Sequence, residues 1–186
     1  MQHRARFEIW GENELIFVND GSTDASMNIL EVIAQQNKNV RVISFSRNFG
    51  HEAAMIAGID HAAGHVIICM DADLQHPLEC IAPIMAKFEE GYEVISMVRT
   101  SNKSAGAIKN FTSRAFYRVI NALSDQVKLE ENASDFFAIS SRVADVLRTN
   151  YREKTRFLRG YVQSVGFRKT TLEYTAAERA GGASHY

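Results

Sequence analysis

From Leu15 to Val98 this 186-residue chain alternates strand-sized apolar runs with segments of helical period. Residues 15–18 form an apolar run closed by turn residues, and 25–36 then sets Met27, Ile29, Leu30, Val32 and Ile33 at spacings suited to one helix face. The pattern repeats with a β-rich run at 40–45, a helical stretch at 51–63 and an apolar run at 65–70. A helix opened by Pro77 and stopped at Gly91 follows, and then a strand at 94–98. Parallel strands need a crossover, usually helical, so the alternation predicts an α/β fold: a mostly parallel, Rossmann-like sheet with helices on both faces.

Past Arg99 the alternation weakens. Residues 105–123 read as one long helix with Ile108, Phe111, Ala115, Val119 and Leu123 on its apolar face. Residues 135–139 and 167–174 suit strands, and 142–149 and 154–165 suit helices. Between Arg99 and Ser124 there are five basic residues, Arg99, Lys103, Lys109, Arg114 and Arg118, and no acidic one. The length fits a single domain, and 21 Lys and Arg against 22 Asp and Glu give no global reason to expect a nucleic-acid partner. Cys69 and Cys80 lack the spacing of a disulfide framework or a zinc site, and the histidines do not supply one. Neither a signal peptide nor an apolar stretch of membrane-spanning length is found, so the segment is expected to be soluble by itself.

Two of the strand-like runs end in carboxylates, at the strand ends where open α/β sheets bind ligands. Asp20 follows the first run and precedes Gly21, which permits a tight exit from the strand. It suits a hydrogen bond to a nucleobase; the alternative is that Asp20, Ser22 or Asp24 merely caps the next helix. Asp71 and Asp73 end the run at 65–70, where their charges are costly unless they face solvent or an ion. Two carboxylates one residue apart can converge on Mg²⁺ or Mn²⁺, with phosphate and water completing the shell; a solvated Asp-rich turn is the alternative. Gln75 and His76 lie beside them, and His76 before Pro77 also reads as a helix-start residue. Arg47 suits either a nucleotide contact or a packed turn. Arg99, at a strand end, is the best placed of the basic residues to grip an anion, whereas a solvated helix face is the default for Arg114 and Arg118.

The two acidic motifs, their separation, and the run Ser46, Arg47, Asn48, Phe49, Gly50, His51, Glu52 between them resemble family 2 glycosyltransferases. Within that family the likeness is to the polyprenyl-phosphate branch, which includes dolichol-phosphate mannose synthases, and it extends from Glu14 to Tyr186. The resemblance implies a GT-A fold and an inverting transfer of sugar from a UDP- or GDP-sugar to a polyprenyl phosphate, with a divalent metal on the donor diphosphate. It matches Asp20 to the carboxylate near the base, Asp71, Ala72 and Asp73 to the donor and metal motif, and Gln75 to a further metal-site position. Arg99, Ser113, Arg114 and Arg179 match the acceptor-phosphate side, and Asp135 matches the acidic position beside the reacting centre, where it joins Asp73 as a catalytic candidate. The implied setting is the cytoplasmic side of a membrane, with a membrane-anchored parent and room for a homo-oligomer. One catalytic domain is expected, divided into an atypical start at 1–13, a donor half at 14–99 and an acceptor half at 100–186.

The chain also departs from the family. Phe137 stands where relatives often carry arginine, and His185 where they often carry lysine, which predicts altered binding of the acceptor phosphate. The apolar first strand of the family has no counterpart before Glu14, and in the family order it lies between the strands at 15–18 and 65–70. A fragment lacking both ends is therefore expected. Two other readings stay open, transfer to a saccharide hydroxyl and a noncatalytic nucleotide-binding module.

Overall fold

The computed structural model describes residues 13–100, 133–151 and 157–177. The chain divides into two compact units, Met1–Gly64 and His65–Tyr186.

In the first unit, strand β1 (Leu15–Asn19) pairs in parallel with β2 (Val40–Ser44), Leu15 opposite Val40 and Asn19 opposite Ser44. Helix α1 (Ser26–Gln36) is the crossover that parallel pairing requires. Helix α2 (His51–His61) packs on β1, with Ile56 and Ile59 buried. Its carboxyl end is held by Arg41, whose Nη1 donates to the His61 carbonyl at 2.9 Å and to Glu14 Oε2 at 3.2 Å. Glu14 Oε1 in turn accepts the Ala63 N–H at 2.6 Å. The apolar face expected of α1 is not a core face: no α1 residue is fully buried, and Ile29 is 58 % exposed.

The second unit carries strands β3 (Val66–Cys69), β4 (Val94–Arg99), β5 (Ala133–Ser140) and β6 (Lys169–Tyr174) in the order β3-β5-β4-β6. β4 and β6 are parallel, and β5 runs antiparallel to both β3 and β4. The three other strands of this sheet therefore share one direction, and β5 alone is reversed. A 3₁₀ turn (Leu78–Cys80) leads into helix α3 (Ile81–Glu89), which ends before Gly91 at φ 84°. Helices α4 (Ser141–Asn150) and α5 (Leu158–Ser164) pack on β5. Ser140 caps α4 through its Oγ, which accepts the Val143 N–H at 3.2 Å.

Side chains alternate across a strand, and β5 is buried on both faces as a result. Phe136 and Ala138 join Ile84, Ile95, Met97 and Tyr174 in one core cluster, while Phe137 and Ile139 are buried on the other side. A register shift in β4 between Ser96 and Val98 leaves the Met97 carbonyl to accept from Ser134 Oγ at 2.9 Å. The order of elements follows the alternation in the sequence, within a few residues at each end. The helix expected at 105–123 lies outside the described residues. Among the described residues β1 has one strand neighbour and β3 has one, and no strand joins the two sheets.

Candidate active site

The carboxyl ends of β3 and β4 and the start of β5 meet at one end of the second unit's sheet, because β5 is reversed. The β3–β5 register runs from Val66 opposite Ser140 to Cys69 opposite Phe137. β3 and its pairing end at Cys69, two residues before Asp71, and Asp135 stands two residues before Phe137 on β5, so both lie toward the same end of the sheet. Arg99 ends β4 opposite Tyr174, the last residue of β6. Asp71, Asp73, Asp135 and Arg99, scattered over 65 positions in the chain, thus share one neighbourhood by topology.

His76 is at the centre of this group. Its ring is buried, stacks on Phe136 with centroids 4.7 Å apart, and meets Tyr174 edge-on at 5.6 Å. The Asp71 backbone N–H donates to His76 Nδ1 at 3.0 Å. A backbone amide can only donate, so Nδ1 is the acceptor and the neutral ring carries its proton on Nε2. Nε2 lies 3.9 Å from Asp71 Oδ2. Burial pulls the His76 pKa below the usual imidazole value, opposed by the charges of Asp71, Asp73 and Asp135 and aided by Arg99. The imidazole therefore acts as a neutral post that sets the start of the acidic loop.

The loop is braced further along. Asp73 Oδ1 accepts the Gln75 N–H at 3.0 Å, and the Gln75 carbonyl accepts the Ala177 N–H at 3.1 Å, which ties the stretch after β6 to the acidic turn. Between them Leu74 has φ 63°, left-handed for a residue with a branched side chain, and is 67 % exposed. Such a conformation costs about 1–3 kcal/mol and persists where its surroundings enforce it. Asp71 and Asp73 are partly exposed hard-oxygen donors and fit a Mg²⁺-like ion. Among the described residues no group of three or more His, Cys, Asp or Glu forms a metal cluster. An ion here would therefore rest on these two carboxylates together with donor phosphates and water.

Asp135 is gripped by a residue that the sequence did not single out. Arg159, on α5, donates to Asp135 Oδ1 from Nη2 at 2.7 Å and from Nε at 3.1 Å. Ser96, Ser134, Phe137, Val162 and Gln163 line the recess around the guanidinium. Phe137 is 3 % exposed in the middle of the sheet, paired opposite both Cys69 and Ser96, so it is a core residue. Arg159 gave no motif signal: it stands 24 residues from its partner, and only the fold of α5 onto β5 brings the two together.

In the first unit Asp20 has a different setting. Its Oδ1 accepts the Phe49 N–H at 2.7 Å and its Oδ2 the Gly50 N–H at 3.0 Å, just ahead of α2. Gly21 has φ 72°, and a Cβ there would lie 2.6 Å from Asn48 N and 2.8 Å from Arg47 Cα. Glycine is what lets the two loops touch. Arg47 donates to the Asn48 carbonyl at 3.0 Å and lies over the Phe49 ring at 4.0 Å. The Ser26 hydroxyl and the Ser26 N–H, the latter at 2.9 Å, hold the Asp24 carboxyl below the usual range at the start of α1. Ser113, Arg114 and Arg179 lie outside the described residues, as does His185.

Residues 4–148 match the family model described as Glycosyl transferase family 2. The chain belongs to that family. It is 42 % identical over 173 residues to an uncharacterized glycosyltransferase, YkcC, of Bacillus subtilis, covering 93 % of this chain and 53 % of that protein. It is 37 % identical over 175 residues to the bactoprenol glucosyl transferase of Shigella phage SfV, covering 94 % of this chain and 56 % of that one. The chain spans about half the length of these curated relatives. Among solved structures, Staphylococcus aureus TarS 1–349 superposes with a TM-score of 0.57 at 16 % identity, over 88 % of this chain and 50 % of that one. The mannosyltransferase PcManGT of Pyrobaculum calidifontis, in complex with GDP-Man and Mn²⁺, also gives 0.57 at 16 % identity, over 90 % and 48 %. The family member has the GT-A fold, as the resemblance implied. No helix of the described residues is long and apolar enough to cross a membrane.

Proposed function

We propose that this glycosyltransferase moves a sugar, with inversion, from a nucleoside diphosphate sugar to a polyprenyl phosphate at a membrane surface. The observation that carries the reading is the gathering of Asp71, Asp73, Asp135 and Arg99 about the buried ring of His76. The bactoprenol glucosyl transferase likeness supports the lipid acceptor. A divalent ion on Asp71 and Asp73 would supply charge to offset that developing on the departing diphosphate.

The chain's own residues do the positioning. His76 fixes the backbone from which Asp71 projects. Arg99, a fixed fork at the end of β4, orients the acceptor phosphate. That phosphate, with a second pKa near 6, is mostly dianionic at neutral pH. Its oxygen forms the new bond to the anomeric carbon as the bond to the diphosphate breaks, the diphosphate leaving with the electron pair. Asp135 lines the reacting centre and orients the acceptor. In the first unit, Asp20 holds the loop of Arg47, the residue proposed to meet the nucleotide.

The test is transfer from radiolabelled UDP- and GDP-sugars by the complete protein, with polyprenyl phosphate, in Mn²⁺ and in EDTA. Organic-extractable label that depends on the metal is expected, with Asp73→Ala losing about 10²–10³-fold in turnover. Label found only on a saccharide acceptor would overturn the lipid reading, and metal-independent transfer by Asp71→Ala would overturn the site.

A further inference from the structure

We propose that Arg159 is a positioning residue of this site, fixing the Asp135 carboxylate for the transfer step. The inference rests on the reading of Asp135 as a reacting-centre residue and adds a residue that no motif pointed to.

The geometry is specific. Two guanidinium nitrogens, Nη2 and Nε, donate to the same oxygen, Oδ1, at 2.7 and 3.1 Å. Two donors on one oxygen fix the rotation of the carboxylate about its Cβ–Cγ bond, and so fix the direction in which Oδ2 faces. The pair is about two-thirds buried on each side, with side-chain exposures of 32 and 30 %, which lowers the dielectric and strengthens the charge-assisted bonds. The platform for Arg159 is rigid. Its neighbours on α5, Leu158 and Val162, are 3 and 2 % exposed, and a Cβ on Gly160 would run into the Phe157 ring. Ser134, just before Asp135, is fastened to the Met97 carbonyl at the β4 irregularity. Asp135 is thus held from both its backbone and its side chain.

There is also an electrostatic need. Asp135 belongs to a set of three carboxylates, with Asp71 and Asp73, whose fields reach His76. Like charges in one region repel and drift apart unless each is held. Arg159 supplies that restraint from the α5 side, while Arg99 stands at the end of β4. A restraint of this kind raises the fraction of bound complexes in reactive geometry, and misplacement by about 1 Å can cost about 10²-fold.

The experiment is a mutant cycle on the complete protein with Arg159→Gln, Asp135→Asn and the double variant. Expected is a fall in kcat of about 10²-fold for Arg159→Gln, with the donor KM changed by less than about threefold. In the Asp135→Asn background the second change should cost less than about threefold more, because residues that act as a unit do not add. Guanidinium ion should restore part of the kcat of Arg159→Gln and none of that of the double variant. Losses that multiply would overturn the inference, since Arg159 would then act apart from Asp135; so would an active Arg159→Gln. If Arg159→Gln does not fold, Arg159→Lys is judged by the same cycle, with a thermal melt as control. Nearly full activity in Asp135→Asn would sink the reading of Asp135 and the inference with it, whereas an inactive Asp135→Asn beside an active Arg159→Gln sinks the inference alone. An NMR readout is independent of turnover: the Arg159 Nε–H should be protected from exchange in the unmodified protein and less protected in Asp135→Ala, which removes the acceptor, and an unprotected Nε–H in the former would overturn the proposal.

Discussion

Two turns in this molecule share one sequence signature, an apolar strand that ends in aspartate, and the fold uses them differently. Asp20 has both oxygens on the backbone N–H groups of Phe49 and Gly50, so its charge serves the start of α2 and the junction of two loops. The Asp71 and Asp73 turn is braced locally: the His76 ring accepts the Asp71 N–H, the Asp73 carboxylate accepts the Gln75 N–H, and the Gln75 carbonyl accepts the Ala177 N–H. The Asp20 carboxylate bonds a loop 29 and 30 positions away, whereas the Asp73 carboxylate bonds a residue two positions on. A strand ending in aspartate therefore does not by itself identify a ligand site.

The largest expected effects separate the two turns. Asp73→Ala should remove about 10²–10³-fold of turnover while costing no more than about 0.5–1.5 kcal/mol, the worth of its local hydrogen bond to the Gln75 N–H. Asp20→Ala should do the reverse: about 2–3 kcal/mol of stability lost, as befits hydrogen bonds to a charged group, with donor affinity in the folded fraction altered far less. Parallel urea titrations and calorimetric donor binding would break the comparison if Asp20→Ala melted normally and lost its donor. Gly21→Ala sharpens the same contrast, because it forces apart the loops that Asp20 joins; φ 72° and the approach of Asn48 N to 2.6 Å predict about 2–4 kcal/mol of destabilisation, read from the denaturant midpoint.

His76→Phe tests the second turn. Phenylalanine keeps an aromatic ring against Phe136 and leaves the Asp71 N–H without its acceptor, a loss of about 1–3 kcal/mol. Metal affinity of the complete protein should weaken with it, and unchanged stability and affinity would show that the ring alone matters. The smallest effect is a pH dependence in the first unit. Burial raises the Glu14 pKa, and the bonds from Ala63 and Arg41 outweigh it, so the folded value lies below the usual carboxylate range. The unfolded chain then binds the proton first as pH falls, so the stabilisation is present above the ordinary glutamate value and is lost below it. The protection of the Ala63 amide against exchange should fall as pH drops through the lowered Glu14 value in the native protein, and Glu14→Gln should flatten that response.

Much of this was legible in the chain. Strand–helix alternation from Leu15 to Arg99 follows from local periodicity, and Gly21, Pro77 and Gly91 mark turns because their backbones permit few alternatives. Asp71 and Asp73 stood out because charge at the end of an apolar strand needs a reason. The reversal of β5 was not legible, since a buried strand carries no mark of its direction. The buried post His76 resembled a helix-start residue until Phe136 and Tyr174, 60 and 98 positions away, closed on it.

The sequence by itself determined which segments become strands and helices, where they turn, and which carboxylates could meet a metal. These rest on interactions between near neighbours, which a one-dimensional pattern records. The tertiary structure alone decided that β5 lies between β3 and β4, that Asp135 comes to the same end of the sheet as Asp71, that Arg159 takes Asp135, and that Asp20 is tied to the loop just ahead of α2. Each depends on burying apolar faces and pairing backbone groups across long chain separations, and those distances are fixed only when the whole sheet forms.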